Sequence, residues 1–121
     1  MILVTDFDGT LVSDKWPEIG DVDYDLVQAF VEAQKAGHKI ILNTCRQGEQ
    51  LEKAVRFLKF YGLTFDRVNE NILEEKQGLK DCRKIFGDFY YDDRSFNWNR
   101  DQAIWHVKRI ACQAAVMKPV K

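Results

Sequence analysis

Residues 2 to 4 are uninterrupted aliphatics, and the run stops at Thr5 and Asp6. A short apolar run bounded by polar residues and Gly9 predicts a strand buried on both faces, the kind that parallel sheets use. A loop follows over residues 12–20; it contains Trp16-Pro17 and ends on Gly20, after which Asp21 is placed to cap a helix. Val22, Leu26, Val27, Phe30 and Val31 recur at helical spacing, and Gly37 supplies a stop. His38 to Asn43 predicts a second strand that runs into Thr44-Cys45-Arg46. A helix from Glu49 to Tyr61 turns Leu51, Ala54, Val55 and Leu58 inward, Gly62 closes it, and a third strand covers residues 64–68. Beyond Lys84, the aromatic residues 89–91 suit a central strand ending on Asp92 and Asp93. A last helix, from Asp101 to Met117, places Ile104, Val107, Ile110, Ala111 and Ala114 on one face.

Strands alternating with helices predict an α/β fold: a three-layer, Rossmann-like parallel sheet with helices on both faces. With 121 residues, 45% of them hydrophobic, the chain is expected to form a single domain over residues 1–121, without room for a second folded unit. The strand ends at Asp6, Thr44 and Asp92 then share one edge, where open α/β sheets place their binding crevice.

Composition narrows the partners. A formal net charge of -1 lacks the basic excess of a general nucleic-acid binder, although a phosphorylated polynucleotide end stays open as a substrate. Three cysteines, Cys45, Cys82 and Cys112, are an odd count without metal-type pairing, which predicts reduced thiols and a cytoplasmic setting. The first apolar run is too short for a membrane span and lacks the basic stretch that precedes a signal peptide's apolar region. Residues 70–76, dense in charge, read as a solvated loop.

The chemistry is concentrated where the first strand meets its turn: Asp6 and Asp8, then Gly9 and Thr10. Two carboxylates so close repel unless a cation neutralises them, and an all-oxygen cluster favours a hard ion such as Mg²⁺. Arg46 has two readings, a ligand for a substrate phosphate or a partner for a carboxylate. Cys45 is not the nucleophile of a tyrosine-phosphatase loop, because Leu51 and Glu52 stand where that chemistry needs an arginine, and it reads as a buried, inert thiol. His38 and His106 have no ligand partner at metal spacing, and Trp98 and Trp105 read as packing residues of the last segment.

In order and over nearly its whole length, the chain resembles the haloacid dehalogenase-like (HAD) superfamily of phosphohydrolases. Asp6-Phe7-Asp8-Gly9-Thr10 matches its first motif, Thr44 the second, Lys84 the third, and Asp92-Asp93 the fourth, with Asp88 in reserve. The resemblance implies a phosphatase acting through an aspartyl-phosphate. Asp6 would be the nucleophile and a Mg²⁺ ligand. Asp8 would be the acid and base, with a raised pKa, and its backbone carbonyl would ligate the ion. Asp92 would complete the metal site, with Asp93 binding directly or through water. Thr44 and the Cys45 amide would hold a phosphate oxygen, and Lys84 would neutralise charge, with Lys80 and Lys76 in the same connection as alternatives. Gly9, Thr10, Arg46 and Trp16 would face the phosphorylated substrate.

Neither interval that carries a cap domain in larger relatives has room for one, so the resemblance is to the capless branch, a minimal HAD-like core. An open site then implies either a macromolecular phosphate ester that covers it or a homo-oligomer in which a neighbour does, with the loop around Trp16 as the local source of specificity. The alternative from another class is a non-enzymatic phospho-receiver or phosphate-binding regulatory module. Strand order opposes it: a receiver's threonine ends the fourth strand, and here Thr44 ends the second.

Overall fold

The structure, a computed structural model, describes residues 1–72 and 83–113. Within them the elements run β1 (Ile2–Thr5), α1 (Tyr24–Lys35), β2 (Lys39–Leu42), α2 (Gly48–Phe60), β3 (Arg67–Val68), β4 (Phe89–Tyr91) and α3 (Arg100–Ala111). The four strands form one sheet in the order β3-β2-β1-β4, every pair parallel. Thr5 is in register with Leu42 on one side and Tyr91 on the other, so Asp6, Asn43 and Asp92 leave the sheet side by side. The ladder continues past the strands, because Asn43 N–H donates to the Thr5 carbonyl (2.8 Å) and Asp6 N–H to the Tyr91 carbonyl (3.0 Å).

The period-two alternation of β1 and β2 divides the core. Leu3, Ile40, Leu42 and Tyr91 face the larger cluster, where Leu26, Phe30 and Ala33 of α1, Ala54 and Leu58 of α2, and Ile104, Val107 and Ile110 of α3 pack. Ile2, Val4 and Ile41 face the other way, onto Ile72 and Ile85 from the β3–β4 connection. All three described helices therefore contribute to one face.

Several sequence expectations shift. The cap of α1 is Asp23, not Asp21: its carboxylate accepts the Leu26 N–H (3.3 Å). Residues 21–23 instead stay extended and pair back onto residues 11–13, with Ser13 N–H on the Asp21 carbonyl (2.8 Å) and Asp23 N–H on that of Leu11 (2.8 Å). Strand β4 is an edge of the described sheet and not central; only Tyr91 of its three aromatics is buried, and Phe89 and Tyr90 remain exposed. Helix α3 closes at Ala111 with Cys112 as its C-cap, short of Met117, and Ala114 falls outside the described residues. Trp98 packs on the core, but Trp105 is 62% exposed beneath the Arg109 guanidinium. The expected solvated loop begins otherwise, since Asn71 and Ile72 are buried.

Both histidines are structural. His38 is buried; its Nδ1 accepts from the N-terminal ammonium (3.0 Å), which leaves Nε2 to donate to the carbonyls of Ile110 (3.1 Å) and Gln113 (2.6 Å). His106 Nδ1 pairs with the Tyr91 hydroxyl (2.7 Å). Among the described residues, no helix is long and apolar enough to cross a membrane.

Phe30 ties α1 to the sheet, fully buried and edge-on to Tyr91 with ring centroids 5.2 Å apart. Truncation there leaves a cavity that neighbours fill only in part, so Phe30→Ala should cost about 3–5 kcal/mol in urea unfolding. Phe60→Ala, on a side chain 86% exposed, should change stability by no more than about 0.5 kcal/mol. Equal losses at the two positions would contradict this assignment of the core.

Candidate active site

The turn after β1 is built so that Asp6 and Asp8 leave it in different surroundings. The Phe7 carbonyl accepts the N–H groups of Thr10, Leu11 and Val12, while the Phe7 ring is fully buried and anchors the turn. Gly9 sits at φ +84°, and a Cβ there would fall on the Asp93 carboxylate. Glycine is therefore required both for the left-handed backbone and for the close approach of Asp93. Thr10 is buried and completes the junction: its hydroxyl donates to Asp93 Oδ1 (3.2 Å) and accepts the Asp93 N–H (3.0 Å). The first turn and the residues after β4 are locked together by this exchange.

Asp6, Asp92 and Asp93 each offer a carboxylate oxygen, and these oxygens lie within 4.8 Å of one another. Burial is the main cause that raises the Asp6 carboxyl to about pH 7; Asp92, Asp93 and Asp8 add repulsion, and the Phe7 N–H donated to Asp6 Oδ1 (2.7 Å) works the other way. Three hard oxygen donors converging where like charges already repel are a donor set suited to Mg²⁺. Asp88, the reserve for the fourth motif, lies before β4, at the opposite end of the sheet, where its carboxylate accepts the Ile2 N–H (2.7 Å).

Asp8 faces a cation. Arg46 Nε donates to Asp8 Oδ2 (2.8 Å) and Nη2 to Oδ1 (2.7 Å), a two-pronged ion pair. Of the two partners the sequence allows for Arg46, the carboxylate is the one present. The pairing gives Asp8 a partner of opposite charge within the protein, in a fork that engages both carboxylate oxygens.

Thr44 and Cys45 occupy the loop between β2 and α2. Thr44 N–H is held by Asn69 Oδ1 (2.7 Å), and Thr44 Oγ1 accepts the Arg46 N–H (3.2 Å), which leaves the hydroxyl proton to be donated elsewhere. Cys45, expected to be buried, is instead an exposed free thiol because it lies in the loop past the end of β2, and its amide has no hydrogen bond among the described residues. The N-cap of α2 is Gln47, without a side-chain cap bond, so Thr44 is not the cap of that helix. Lys84 is exposed; Lys76 and Lys80 lie outside the described residues. Trp16 is 56% exposed at the rim of the Asp8–Arg46 pair.

Two supporting residues were not legible as such. Asn69, at φ +55°, holds the Thr44 backbone, and the buried Asn71 donates to the Lys84 carbonyl (3.1 Å) and accepts the Phe86 N–H (2.6 Å). Through them the residues after β3 link the Thr44 loop to the Lys84 segment. The available signal was two asparagines just past a strand, a residue type that tolerates the left-handed region and bonds nearby backbone.

The family model described as haloacid dehalogenase-like hydrolase matches residues 3–112. The chain belongs to the haloacid dehalogenase-like hydrolases. A solved structure from Bacteroides thetaiotaomicron, titled as that of a conserved protein coded by a locus, shares 32% identity with this HAD-like chain, covers 90% of each chain, and superposes with a TM-score of 0.76. No curated protein matches the chain significantly. The small α/β Rossmann-like core expected of a HAD hydrolase is thus the fold of this one, with its acidic cluster at the C-terminal ends of the parallel strands.

The raised Asp6 carboxyl fixes the sign of a pH effect. An acid whose folded pKa exceeds its unfolded value takes up a proton on folding, so its favourable contribution is complete below the unfolded value of 3.8 and is lost as pH rises towards about 7. Metal-free protein should lose thermal stability across that window, and Mg²⁺ should raise the melting temperature more at pH 8 than at pH 5. Melting curves in EDTA and in Mg²⁺ at the two pH values check this; an equal increment at both would remove the ion from the Asp6 cluster.

Proposed function

We propose that this hydrolase is a Mg²⁺-dependent phosphatase, a phosphoric monoester hydrolase that works through an aspartyl-phosphate on Asp6. One observation carries the reading: the partly buried Asp6 carboxyl meets Asp92 and Asp93 at the end of β1, with the Thr44 hydroxyl and the unbonded Cys45 amide at the next strand end. Asp6, Asp92 and Asp93 would hold the ion. When bound, it supplies the positive charge that lets these carboxylates share the site with a phosphate dianion.

The residues then divide the work. The Thr44 hydroxyl and the Cys45 N–H donate to non-bridging phosphate oxygens, and a lysine, Lys84 or one of Lys80 and Lys76, balances the charge of the transferring group. An Asp6 carboxylate oxygen bonds to phosphorus as the bond from phosphorus to the leaving oxygen breaks, and that oxygen takes a proton from the Asp8 carboxyl. In the second half, a water oxygen bonds to phosphorus and gives its proton to the Asp8 carboxylate. The bond from phosphorus to Asp6 breaks, which frees inorganic phosphate and restores both side chains. The substrate is a phosphate ester, small or macromolecular, and the half-exposed Trp16 supports a contact with its alcohol portion.

Asp6→Asn tests the central step because the amide keeps the shape and removes the nucleophilic charge. Turnover of p-nitrophenyl phosphate should fall by about three orders of magnitude or more, as for other lost nucleophiles. Covalent labelling by a phosphorylated substrate should disappear, while the metal-free variant melts higher than wild type at pH 8 because a repelling charge has gone. EDTA should silence the wild type and Mg²⁺ restore it. Retained turnover in Asp6→Asn would sink the proposal.

A further inference from the structure

Arg46 is the largest fully buried side chain among the described residues, 1% exposed, and no site motif accounts for it. A buried guanidinium persists only where its charge and its N–H groups are matched. Here the matching is nearly complete. Nε and Nη2 hold the two oxygens of Asp8, Nη2 also donates to the Glu18 carbonyl (2.9 Å), and Nη1 donates to the Pro17 carbonyl (3.2 Å). The guanidinium carbon also lies over the Phe7 ring, 5.0 Å from its centroid, and over the Trp16 ring, 4.9 Å from its centroid. Among the described residues only a single N–H, on Nη1, lacks an acceptor, so the side chain cannot present the two-pronged fork with which arginine grips a phosphate.

One guanidinium therefore binds the side chain of Asp8 and the backbone of the loop over residues 16–18. We infer that Arg46 is a positioning residue: it aims the Asp8 carboxylate for the proton-accepting step, and it sets the Trp16 loop against that same carboxylate. A carboxylate has about four lone-pair positions, so a fork that fills one on each oxygen fixes its plane and leaves the others for water. An Asp8 released from the fork turns about its side-chain bonds and loses that alignment. The step affected is hydrolysis of the aspartyl-phosphate, in which the oxygen of water bonds to phosphorus, the bond from phosphorus to the Asp6 oxygen breaks, and the proton of water passes to Asp8. This rests on the proposed phosphatase mechanism.

Pre-steady-state hydrolysis of p-nitrophenyl phosphate by the full chain with Mg²⁺ separates the possibilities, because nitrophenolate leaves without help from an acid. Arg46→Met keeps an apolar side chain beside the two rings and removes the fork. It should lower steady-state turnover by about 10²-fold, the usual worth of an aligned base. It should also show a burst of about one nitrophenolate per active site, the mark of an intermediate that forms faster than it breaks down. Asp8→Asn should show the same burst, and the double variant should lose little beyond Asp8→Asn alone, because the two residues act as a unit. Arg46→Lys, which keeps the charge without the fork, should fall between wild type and Arg46→Met and serves if the methionine variant does not fold. Trp16 fluorescence should become more quenchable by acrylamide in the Arg46 variants even without substrate. A raised KM and weaker inhibition by inorganic phosphate, with no burst, would make Arg46 a phosphate ligand and overturn the inference. Loss of active sites with unchanged kinetics in the remainder would make it merely structural and also overturn it. Absence of turnover and phosphoenzyme in the wild type would instead remove the phosphatase reading itself.

Discussion

Like charges crowded at the end of β1 are the constraint on which the rest of the site depends. Carboxylates do not gather in a half-buried place of their own accord, and the raised Asp6 carboxyl is the measure of that resistance. The backbone overcomes it by geometry. Parallel register sets Asp6 next to Asp92, ladder bonds from Asp6 and Asn43 carry the sheet right up to the acidic residues, and the Thr10 exchange with Asp93 fastens the far side of the cluster. Gly9 belongs to the same device, since any larger residue would occupy the space that the Asp93 carboxylate needs.

The scaffold can bear this load because the end of the sheet where the site lies is joined to a core that does not yield. Leu3, Ile40 and Leu42 are fully buried beneath α1, α2 and α3, and Arg100 binds the Asp23 cap of α1 through Nε (2.7 Å) and Nη2 (2.9 Å), which joins the first helix to the last. Close-packed interiors transmit strain instead of absorbing it. A repelling cluster mounted on them keeps its shape where one mounted on a loop would spread.

Much of this was legible in the chain. Unbroken aliphatic runs named β1 and β2, helical spacing named the buried faces of α1 and α3, and the acidic strand ends pointed to a shared edge, because each of these signals is local and periodic. What failed to show depended on distant partners. Asp21 looked like the cap of α1, but residues 21–23 pair with residues 11–13 and the cap falls to Asp23. The aromatics of β4 suggested a central strand, although a strand with one neighbour can carry them exposed. Asn69 and Asn71 gave no sign of their work, since a side chain that holds another segment's backbone leaves no period in the sequence. Arg46 was visible as a residue but not as the partner of Asp8, 38 positions away.

That last contact shows how two aspartates two residues apart come to differ. They share one turn, which begins where β1 ends and leaves strand geometry at Phe7, so the surroundings of each are set by what arrives from elsewhere in the chain. Asp8 receives a guanidinium that matches its charge from within the protein. Asp6 is partly buried beside the carboxylates of Asp92 and Asp93; burial first and their repulsion second push its proton affinity up and make an added cation the natural means of settling it. Under the proposed mechanism this division has a chemical logic. A base used in proton transfer needs a fixed direction, which a buried fork provides, whereas a nucleophile that must meet a phosphate dianion needs positive charge that both can share, which an arginine locked onto it could not supply.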